Sequence, residues 1–403
     1  MSSGMTWRDW MNSETKVVIT SGYRWSYFQW FLLGLYELEK QGKISLELKL
    51  PLGSYILSKL SNEFLLRVVN RLRMLFEEDS YNMDGYIVYS HNGKSEKKFF
   101  TIDSADAPYL FDSKKLDSVD CYFKMQCPAE FYDDGFKLTD DIVIPWCDHE
   151  HTSPGLKLTE RGKRKVIANL NVDKIKPLLA ATRSLSKGIS YKALKSGYDN
   201  YVKARKLHKE KKIMCYFGNA LGPIPEAEPI SDYDWERDIM GFFGREISHP
   251  NEKRAKVAEI LNKIDDTDAR VICQSYSDNN AGKDENLQIP LRDFCAHIAQ
   301  FEYNINVSGY RMSVPSRFME SMMVGTAIVT DKLRVKWFKP FEEEVIESVE
   351  MGYKTMHSVD WDSFENDLKK LPTTNPSSIV NLYESKWSPV VVAEYIIDTV
   401  NNY

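Results

Sequence analysis

The feature that most constrains the fold is a regular alternation of short apolar runs with helical patterns in the second half of the chain. Runs typical of buried strands lie at 213–217, 237–243, 270–274, 303–307 and 326–330. Helical periodicity separates some of them, at 251–263, 291–299 and 316–323. Strands that alternate with helices in this way favour an α/β fold with a doubly wound parallel sheet.

The first half opens on the same theme. The strand pattern Lys16–Thr20 is followed by a polar break at Ser21-Gly22 and by helical periodicity from Trp25 to Lys40, the order expected of an α/β unit. Further strand patterns lie at 85–89, 98–102, 121–125 and 142–145, with a helical pattern at 62–77. We predict one mixed or parallel sheet with helices here.

The length of the chain indicates more than one domain. A chain of 403 residues, 43% hydrophobic, exceeds the roughly 250–300 residues at which single cores stop growing. We predict two Rossmann-like domains, 1–205 and 206–385, and a C-terminal helix at 386–403. The segment 172–212 is predicted as a helix and connector without strands. Its basic end, KARKLHKEKK, is either a solvated helical face or a site of attraction to an anionic membrane.

Composition excludes several classes of protein. A net charge of −5 argues against a nucleic-acid binder with a broad basic face. Six cysteines without CxxC spacing indicate reduced thiols and no structural zinc. The N-terminus lacks the apolar run of a signal peptide, and no stretch reaches the roughly 18 apolar residues of a membrane span. We therefore expect a cytoplasmic protein.

The strongest functional pattern is Ser313–Asp331, which predicts a loop, a helix, a glycine turn at Gly325-Thr326 and a strand. A helix N-terminus carries free N–H groups and a positive dipole, so it binds phosphate. Ser316 is placed to cap the helix or donate to the phosphate, Arg317 adds charge, and the carboxylate of Glu320 can accept from both ribose hydroxyls. In the alternative interpretation Ser316 is only a cap and Glu320 a solvated helix residue.

The same stretch carries a resemblance to a known family. SRFMESMMVGTAIVTD resembles the donor-side signature of GT-B glycosyltransferases, and GFFGREISHPNEKRAKVAEIL resembles the second half of exostosin-like transferases. The resemblance covers 213–403 well and the first half only in general pattern. It implies a GT-B fold, in which two Rossmann-like domains face a cleft and the last helix crosses back to the first domain.

The dipeptide His249-Pro250 is similar to the His-Pro motif of bacterial sialyltransferases and Kdo transferases, which use CMP-activated acid sugars. That likeness implies that His249 contacts the CMP phosphate, where an imidazolium can bind it and protonate the departing CMP. The alternative is a surface histidine at a helix start. A single phosphate needs no Mg²⁺, so we expect no metal and no cofactor, and we interpret the pairs Asp133-Asp134 and Asp140-Asp141 as turn residues.

The segment PISDYDWERD lies between two predicted strands of the second half and contains Asp232 and Asp234. A carboxylate beside an anomeric carbon can stabilise or attack it. The pattern is similar to retaining β-Kdo transferases, which implies double displacement with Asp232 as nucleophile. The alternative is a pair of turn-forming aspartates, of which Asp234 is better placed to cap a helix.

The remaining candidates hold the donor or the acceptor. The carboxylate of an acid sugar needs a bidentate arginine, for which Arg24, Arg245, Arg311 and Arg317 are available. Arg245 and Gln274 are assigned to the donor. The loops after first-half strands should face the cleft, and they offer a general base for the acceptor among Asp103, Ser104, Asp106 and the segment 148–151. Adjacent residues such as His149, Glu150 and His151 cannot easily bind one ion together.

The resemblance therefore implies an enzyme that transfers Kdo from CMP-β-Kdo to a bacterial surface glycan with retention, in the biosynthesis of lipopolysaccharide O-antigen or capsular polysaccharide. Two alternatives stay open: an inverting GT-B transferase using another CMP- or diphosphate-sugar, and a non-catalytic GT-B glycan-assembly module. The expected partners are the CMP-sugar and a glycan acceptor, with no nucleic acid. Peripheral association with the inner membrane or an assembly complex, and membership of a larger multi-domain transferase, are also left open.

Overall fold

The structure is a computed structural model. It describes residues 14–22, 25–60, 82–91, 94–104, 112–129, 172–179, 184–219, 256–273, 290–307, 314–330, 335–339 and 361–403, with single positions at 65, 68, 69, 72 and 132.

Helices and strands alternate along the described chain. The strands are β1 Glu14–Gly22, β2 Ser45–Leu48, β3 Asn82–His91, β4 Lys94–Asp103, β5 Cys121–Lys124, β6 Cys127–Pro128, β7 Ile175–Pro177, β8 Lys211–Asn219, β9 Thr267–Cys273, β10 Phe301–Asn306, β11 Ala327–Thr330 and β12 Val335–Lys336. The helices are α1 Trp25–Lys40, α2 Leu52–Lys59, α3 Ser113–Ser118, α4 Tyr191–Ala204, α5 Leu291–Ala299, α6 Arg317–Met323, α7 Trp361–Lys369, α8 Pro376–Trp387 and α9 Pro389–Asn402. Residues 256–261 are also helical.

The first sheet is mixed. Its described strands lie in the order β2-β1-β3-β4-β5-β7. All run parallel except β3, which lies antiparallel between β1 and β4. The carboxyl ends of five strands and the amino end of β3 therefore share one edge of the sheet.

The second sheet is parallel throughout its described strands, in the order β11-β10-β8-β9. The two central strands are β8 and β10. From β8 the chain continues to β9 on one side of the sheet, and from β10 it continues to β11 on the other side. This reversal is a topological switch point of the kind found in doubly wound folds. The described residues thus form an α/β fold with a mixed sheet, a parallel sheet and a two-stranded antiparallel sheet of β6 and β12.

A continuous apolar core joins the two sheets. Helix α4 packs against α1 on the first-half side and against α5 and α6 on the second-half side. One cluster of buried side chains accordingly extends from Phe100 and Phe123 in the first sheet to Met214 and Ile328 in the second. A second cluster covers the other face of the parallel sheet, where Tyr303 and Ile305 meet helix α7 and residues 257–261.

The last helix returns to the beginning of the chain. Helix α9 packs along α1 and contacts β4, and the Lys43 ammonium pairs with the Glu394 carboxylate at 2.7 Å. The hydroxyl of Tyr395 donates to the Pro177 carbonyl at 2.9 Å. The last helix thus packs on both the first helix and the first sheet.

Most sequence-predicted elements that fall on described residues are confirmed. The patterns at 16–20, 85–89, 98–102 and 121–125 form β1, β3, β4 and β5, and those at 213–217, 270–274, 303–307 and 326–330 form β8 to β11. The predicted helices at 291–299 and 316–323 correspond to α5 and α6, and the C-terminal helix predicted at 386–403 corresponds to α9, which begins at Pro389. The expected strands at 142–145 and 237–243 lie outside the described residues.

One prediction about the connector is wrong. The segment 172–212 was expected to lack strands, but Ile175–Pro177 forms β7 and pairs with β5. Three residues are too few to show a strand pattern, and their extended conformation depends on the neighbouring strand.

Within the described part of the chain, no helix is both long and apolar enough to cross a bilayer.

Candidate functional site

The switch point of the parallel sheet is the candidate site. Strands β8 and β10 lie side by side and end at Asn219 and Asn306. The chain that leaves β10 reaches Val314 and enters α6 at Arg317, so α6 begins at the carboxyl edge of the sheet. Ligands of open α/β sheets bind in the crevice outside this edge, where the strand order reverses.

Helix α6 sets the position of three predicted donor-binding residues. Ser316 occupies the N-cap position, but its side chain makes no capping hydrogen bond, and Arg317 is the half-buried first helical residue. Glu320 is fully buried one turn into the helix. The alternative interpretation of Glu320 as a solvated helix residue is therefore wrong.

Polar side chains continue from α6 into the strand beneath it. The Asn304 amide donates to the Ser321 hydroxyl at 2.8 Å, and the Asn306 amide donates to the Thr330 hydroxyl at 3.1 Å. Alternation along a strand puts both asparagines on the face that carries α6. Sequence reasoning missed this polar row because the strand pattern was judged by its apolar residues alone.

The predicted glycine turn after α6 is confirmed. Gly325 has φ of +74°, in the left-handed region that glycine adopts without steric cost. The Thr326 hydroxyl then donates to the Ile298 carbonyl at 3.0 Å. The turn reverses the chain so that β11 can run parallel to β10.

A buried ion pair lies at the corresponding edge of the first sheet. Asp103 ends β4 and Lys124 ends β5, and their charged atoms are 2.7 Å apart. The Tyr122 hydroxyl donates to the same carboxylate oxygen at 2.6 Å. Burial, and then the charge of Asp103, hold the pKa of Tyr122 well above its usual range. A carboxylate with these two donors fixes the ends of β4 and β5 relative to each other.

A second polar cluster occupies that edge and was not predicted. Asp84, near the amino end of β3, accepts hydrogen bonds from Ser21 at 2.7 Å and Thr101 at 2.8 Å. The Lys115 ammonium lies 2.6 Å from the same carboxylate. The sequence does not reveal the cluster because it depends on the antiparallel direction of β3, which brings Asp84 to the edge where the parallel strands end.

A glutamine links the carboxyl edge of the first sheet to the residues that precede α6. Gln126 follows β5, its amide group donates to the Val314 carbonyl at 3.3 Å, and its oxygen accepts from the Val314 N–H at 3.1 Å. Immediately after it, β6 pairs with β12. The first half is thus joined to the residues on both sides of the unit formed by α6 and β11.

The other predicted site residues lie outside the described residues. These are Asp232, Arg245, His249, Gln274, Arg24, Asp106 and Arg311; the alternatives Asp234 and 148–151 also lie outside them. The segments 220–255 and 274–289 follow β8 and β9, so in sequence four of the seven belong to connections that leave the carboxyl edge of the parallel sheet. Ser104, described and buried, directly follows Asp103.

Among the described residues, no group of three or more His, Cys, Asp or Glu side chains is arranged to hold a metal ion. No protein-family model matches the chain, and no curated protein matches it significantly.

Proposed function

We propose that the chain is a GT-B glycosyltransferase that transfers Kdo from CMP-β-Kdo to a bacterial surface glycan with retention. The observation that carries the proposal is the start of α6 at the switch point of a parallel sheet, with the carboxyl edge of the first sheet joined to it through Gln126 and Val314. Two α/β layers linked in this way would suit a nucleotide sugar on one side and its acceptor on the other.

The donor side of the proposal uses α6. The free N–H groups of its first turn, Ser316 and Arg317 bind the phosphate, and Glu320 accepts from the ribose hydroxyls. Arg245 and Gln274 complete the donor site. The resemblance of the stretch Ser313–Asp331 to GT-B donor signatures supports this assignment, and the likeness of His249-Pro250 to CMP-sugar transferases supports the choice of CMP.

The reaction then proceeds in two displacements. The Asp232 carboxylate attacks the anomeric carbon of Kdo, and CMP leaves with its phosphate stabilised by Arg317 and protonated by His249. An acceptor hydroxyl, deprotonated by a base of the first half, displaces Asp232 from the opposite face. Two inversions give net retention. Arg24 pairs with the sugar carboxylate, and the acceptor lies beside Asp103 and Asp106.

Nucleotide binding tests the donor class. In calorimetric titrations of the full chain with CMP, UDP and GDP, we expect CMP to bind most tightly and Arg317→Met to weaken it by about tenfold or more. The control Arg292→Met changes an exposed arginine of α5 and should leave binding unchanged. Binding of UDP or GDP in preference to CMP would indicate a diphosphate-sugar donor, and binding of none would overturn the proposal.

Intact-mass measurement tests the mechanism. With CMP-Kdo and no acceptor, we expect a Kdo adduct on the wild-type chain and on Asp234→Ala but not on Asp232→Ala. Normal turnover by Asp232→Ala would exclude this nucleophile, and an inverted anomeric linkage in the product, read by NMR, would favour the inverting alternative. CMP binding without hydrolysis or transfer would favour a non-catalytic module. Transfer should persist in EDTA.

A further inference from the structure

Part of the basic run at 203–212 is engaged within the protein. Arg205 and Lys209 both donate hydrogen bonds to the carboxyl end of α6, whereas Lys206 of the same run is exposed. The two interpretations of this run, a solvated helical face and attraction to an anionic membrane, therefore do not account for Arg205 and Lys209.

The carboxyl end of α6 has backbone carbonyls that no N–H group of the helix can satisfy. They belong to residues 321–324. The N–H groups of Gly325 and Thr326 donate to the first two of them, at 3.1 and 2.9 Å, which is the hydrogen-bond pattern of a Schellman motif. The carbonyls of Met323 and Val324 then depend on groups from elsewhere in the chain.

Side chains from the connector between the two sheets satisfy both carbonyls. The Nε atom of Arg205 donates to the Met323 carbonyl at 2.7 Å, and the Lys209 ammonium donates to the Val324 carbonyl at 3.3 Å. Lys209 also donates to the Thr326 hydroxyl at 2.9 Å. Two cations therefore lie at the negative end of the α6 dipole, where positive charge stabilises a helix.

Arg205 is itself held by two further helices. Its guanidinium pairs with the Glu384 carboxylate of α8, and the same carboxylate oxygen accepts a hydrogen bond from Tyr198 of α4 at 3.1 Å. Helix α4 packs on α1, and α8 continues into α9, which also packs on α1. Arg205 therefore fixes the carboxyl end of α6 relative to the first half of the chain.

Helix α6 is short, so the position of one end decides the position of the other. Its seven residues rise about 10 Å, and an isolated helix of this length is not stable in water. The places of Arg317 and Glu320 consequently depend on the contacts that hold the carboxyl end.

We propose that Arg205 and Lys209 are positioning residues of the donor site and act on it through α6. This inference rests on the proposed function, in which residues of α6 bind the nucleotide. The two cations raise nucleotide affinity without touching the nucleotide, because they keep α6 in the orientation in which Arg317 and Glu320 contact it.

Calorimetric titration of the full chain with CMP tests the inference. We expect Arg205→Gln and Lys209→Met each to weaken binding about fivefold, and the two together about twentyfold or more, because a smaller fraction of the protein holds α6 in the binding orientation. Lys209→Arg keeps a cation and a donor, so it should bind within about twofold of the wild type. The matched control is Lys206→Met, which removes an exposed cation of the same run and should leave binding unchanged.

A further variant separates positioning from a general loss of stability. The Glu384 side chain is 40% exposed, and Glu384→Gln is close to isosteric. It should weaken CMP binding in the wild type but add little to Arg205→Gln, because it acts through Arg205. Thermal unfolding checks that each variant is folded at the temperature of the titration.

Hydrogen exchange without nucleotide provides a second measurement. The peptide that covers 317–326 should exchange about tenfold faster in Lys209→Met than in Lys209→Arg, and equal rates would overturn the inference. Undiminished CMP binding by the double variant of Arg205 and Lys209, beside a wild type that binds CMP, would overturn the inference and leave the proposed function standing. A wild type that binds none of CMP, UDP and GDP would overturn the proposed function and this inference with it.

Discussion

At the scale of single residues, Gly325 is the position whose replacement has the most predictable cost. Its φ is +74°, and a Cβ there would lie 2.8 Å from the carbonyl oxygen of Pro376. We expect Gly325→Ala to lower the free energy of unfolding by about 2–4 kcal/mol, from backbone strain together with steric conflict. Urea denaturation measures the loss.

Gly42 provides the matched control. Its φ is +70°, but a Cβ at this position would meet nothing within 4 Å, so Gly42→Ala suffers the backbone term alone, about 1 kcal/mol. The difference between the two losses in stability measures the steric conflict between a side chain at residue 325, just after α6, and Pro376 at the start of α8. Equal losses of stability in the two variants would show that Pro376 shifts to accommodate the added methyl group.

Lys209 predicts a pH dependence. Its ammonium donates to the Thr326 hydroxyl at 2.9 Å and to the Val324 carbonyl at 3.3 Å, and burial lowers its pKa to about 8. At pH values between about 8 and the higher pKa of Lys209 in the unfolded chain, the unfolded state binds more protons than the folded state. The stability that Lys209 contributes therefore rises with pH across this range, and it is lost as pH falls through about 8.

The measurement compares wild type with Lys209→Met by urea denaturation between about pH 8 and 9.5. We expect the rise in stability to be smaller in the variant. This pH range lies below the titration of buried tyrosines such as Tyr36, whose pKa is raised to about 12 by burial. Their contribution to stability is present below the usual tyrosine pKa, so it stays nearly constant across the range. Parallel curves for both proteins would contradict the assignment.

At the scale of elements, Gln126 connects the end of β5 to the residue that precedes α6. Gln126→Ala removes both hydrogen bonds to Val314 and leaves that buried peptide group without them. We expect faster hydrogen exchange at Val314, with an opening free energy lower by about 1–3 kcal/mol. Exchange mass spectrometry of the peptide that covers 314–320 measures it.

The control is Gln41→Ala, an exposed glutamine after α1, which should leave exchange at 314–320 unchanged. If the proposed function is correct, Gln126→Ala should also weaken CMP binding, because the start of α6 is then less fixed. Unchanged exchange at Val314 would contradict the positioning role whatever the ligand.

The sequence predicts long elements better than their pairing. Strands β8 to β11 and helix α6 were placed within a few residues because alternating apolar runs and helical periodicity are local signals. The direction of β3 is not local: it follows from pairing with β1 and β4 over most of its length. The Ser-Leu-Glu-Leu run of β2 was missed for the same reason, since its extended form depends on β1.

The residues of the candidate site could be predicted only where polar or charged side chains lie within such a local helix or strand pattern. Ser316, Arg317 and Glu320 follow from the helix signal of α6. The burial of Glu320 does not, since it depends on what packs over the helix. Likewise Asp103 was expected in a loop as a candidate base, whereas it ends β4 and its partners Tyr122 and Lys124 lie on the neighbouring strand.

At the scale of the whole molecule, Gly34 sets the distance between the first and last helices. A Cβ at this position of α1 would overlap the carbonyl group of Pro389 and lie 2.9 Å from the Ala393 Cβ. Gly→Ala in an open helix stabilises by about 1 kcal/mol. Here we expect the opposite sign, a loss of about 2–3 kcal/mol by urea denaturation, because α9 must move away.

Ser26→Ala serves as the control, since Ser26 is exposed on the same helix and should change stability by only a few tenths of a kcal/mol. A stabilised Gly34→Ala protein would mean that α9 does not approach α1 so closely.

The packing of α9 on α1 also affects how the protein is made. Helix α1 is complete at residue 40, whereas its cover begins at residue 389. At about 5–20 residues per second, the ribosome needs roughly 20–70 s to supply the intervening chain. During that interval α9 does not cover the face of α1 around Gly34, so we expect the nascent first half to be prone to aggregation. Ribosome stalling or truncation shortly before residue 389 should yield aggregated chains rather than a folded half.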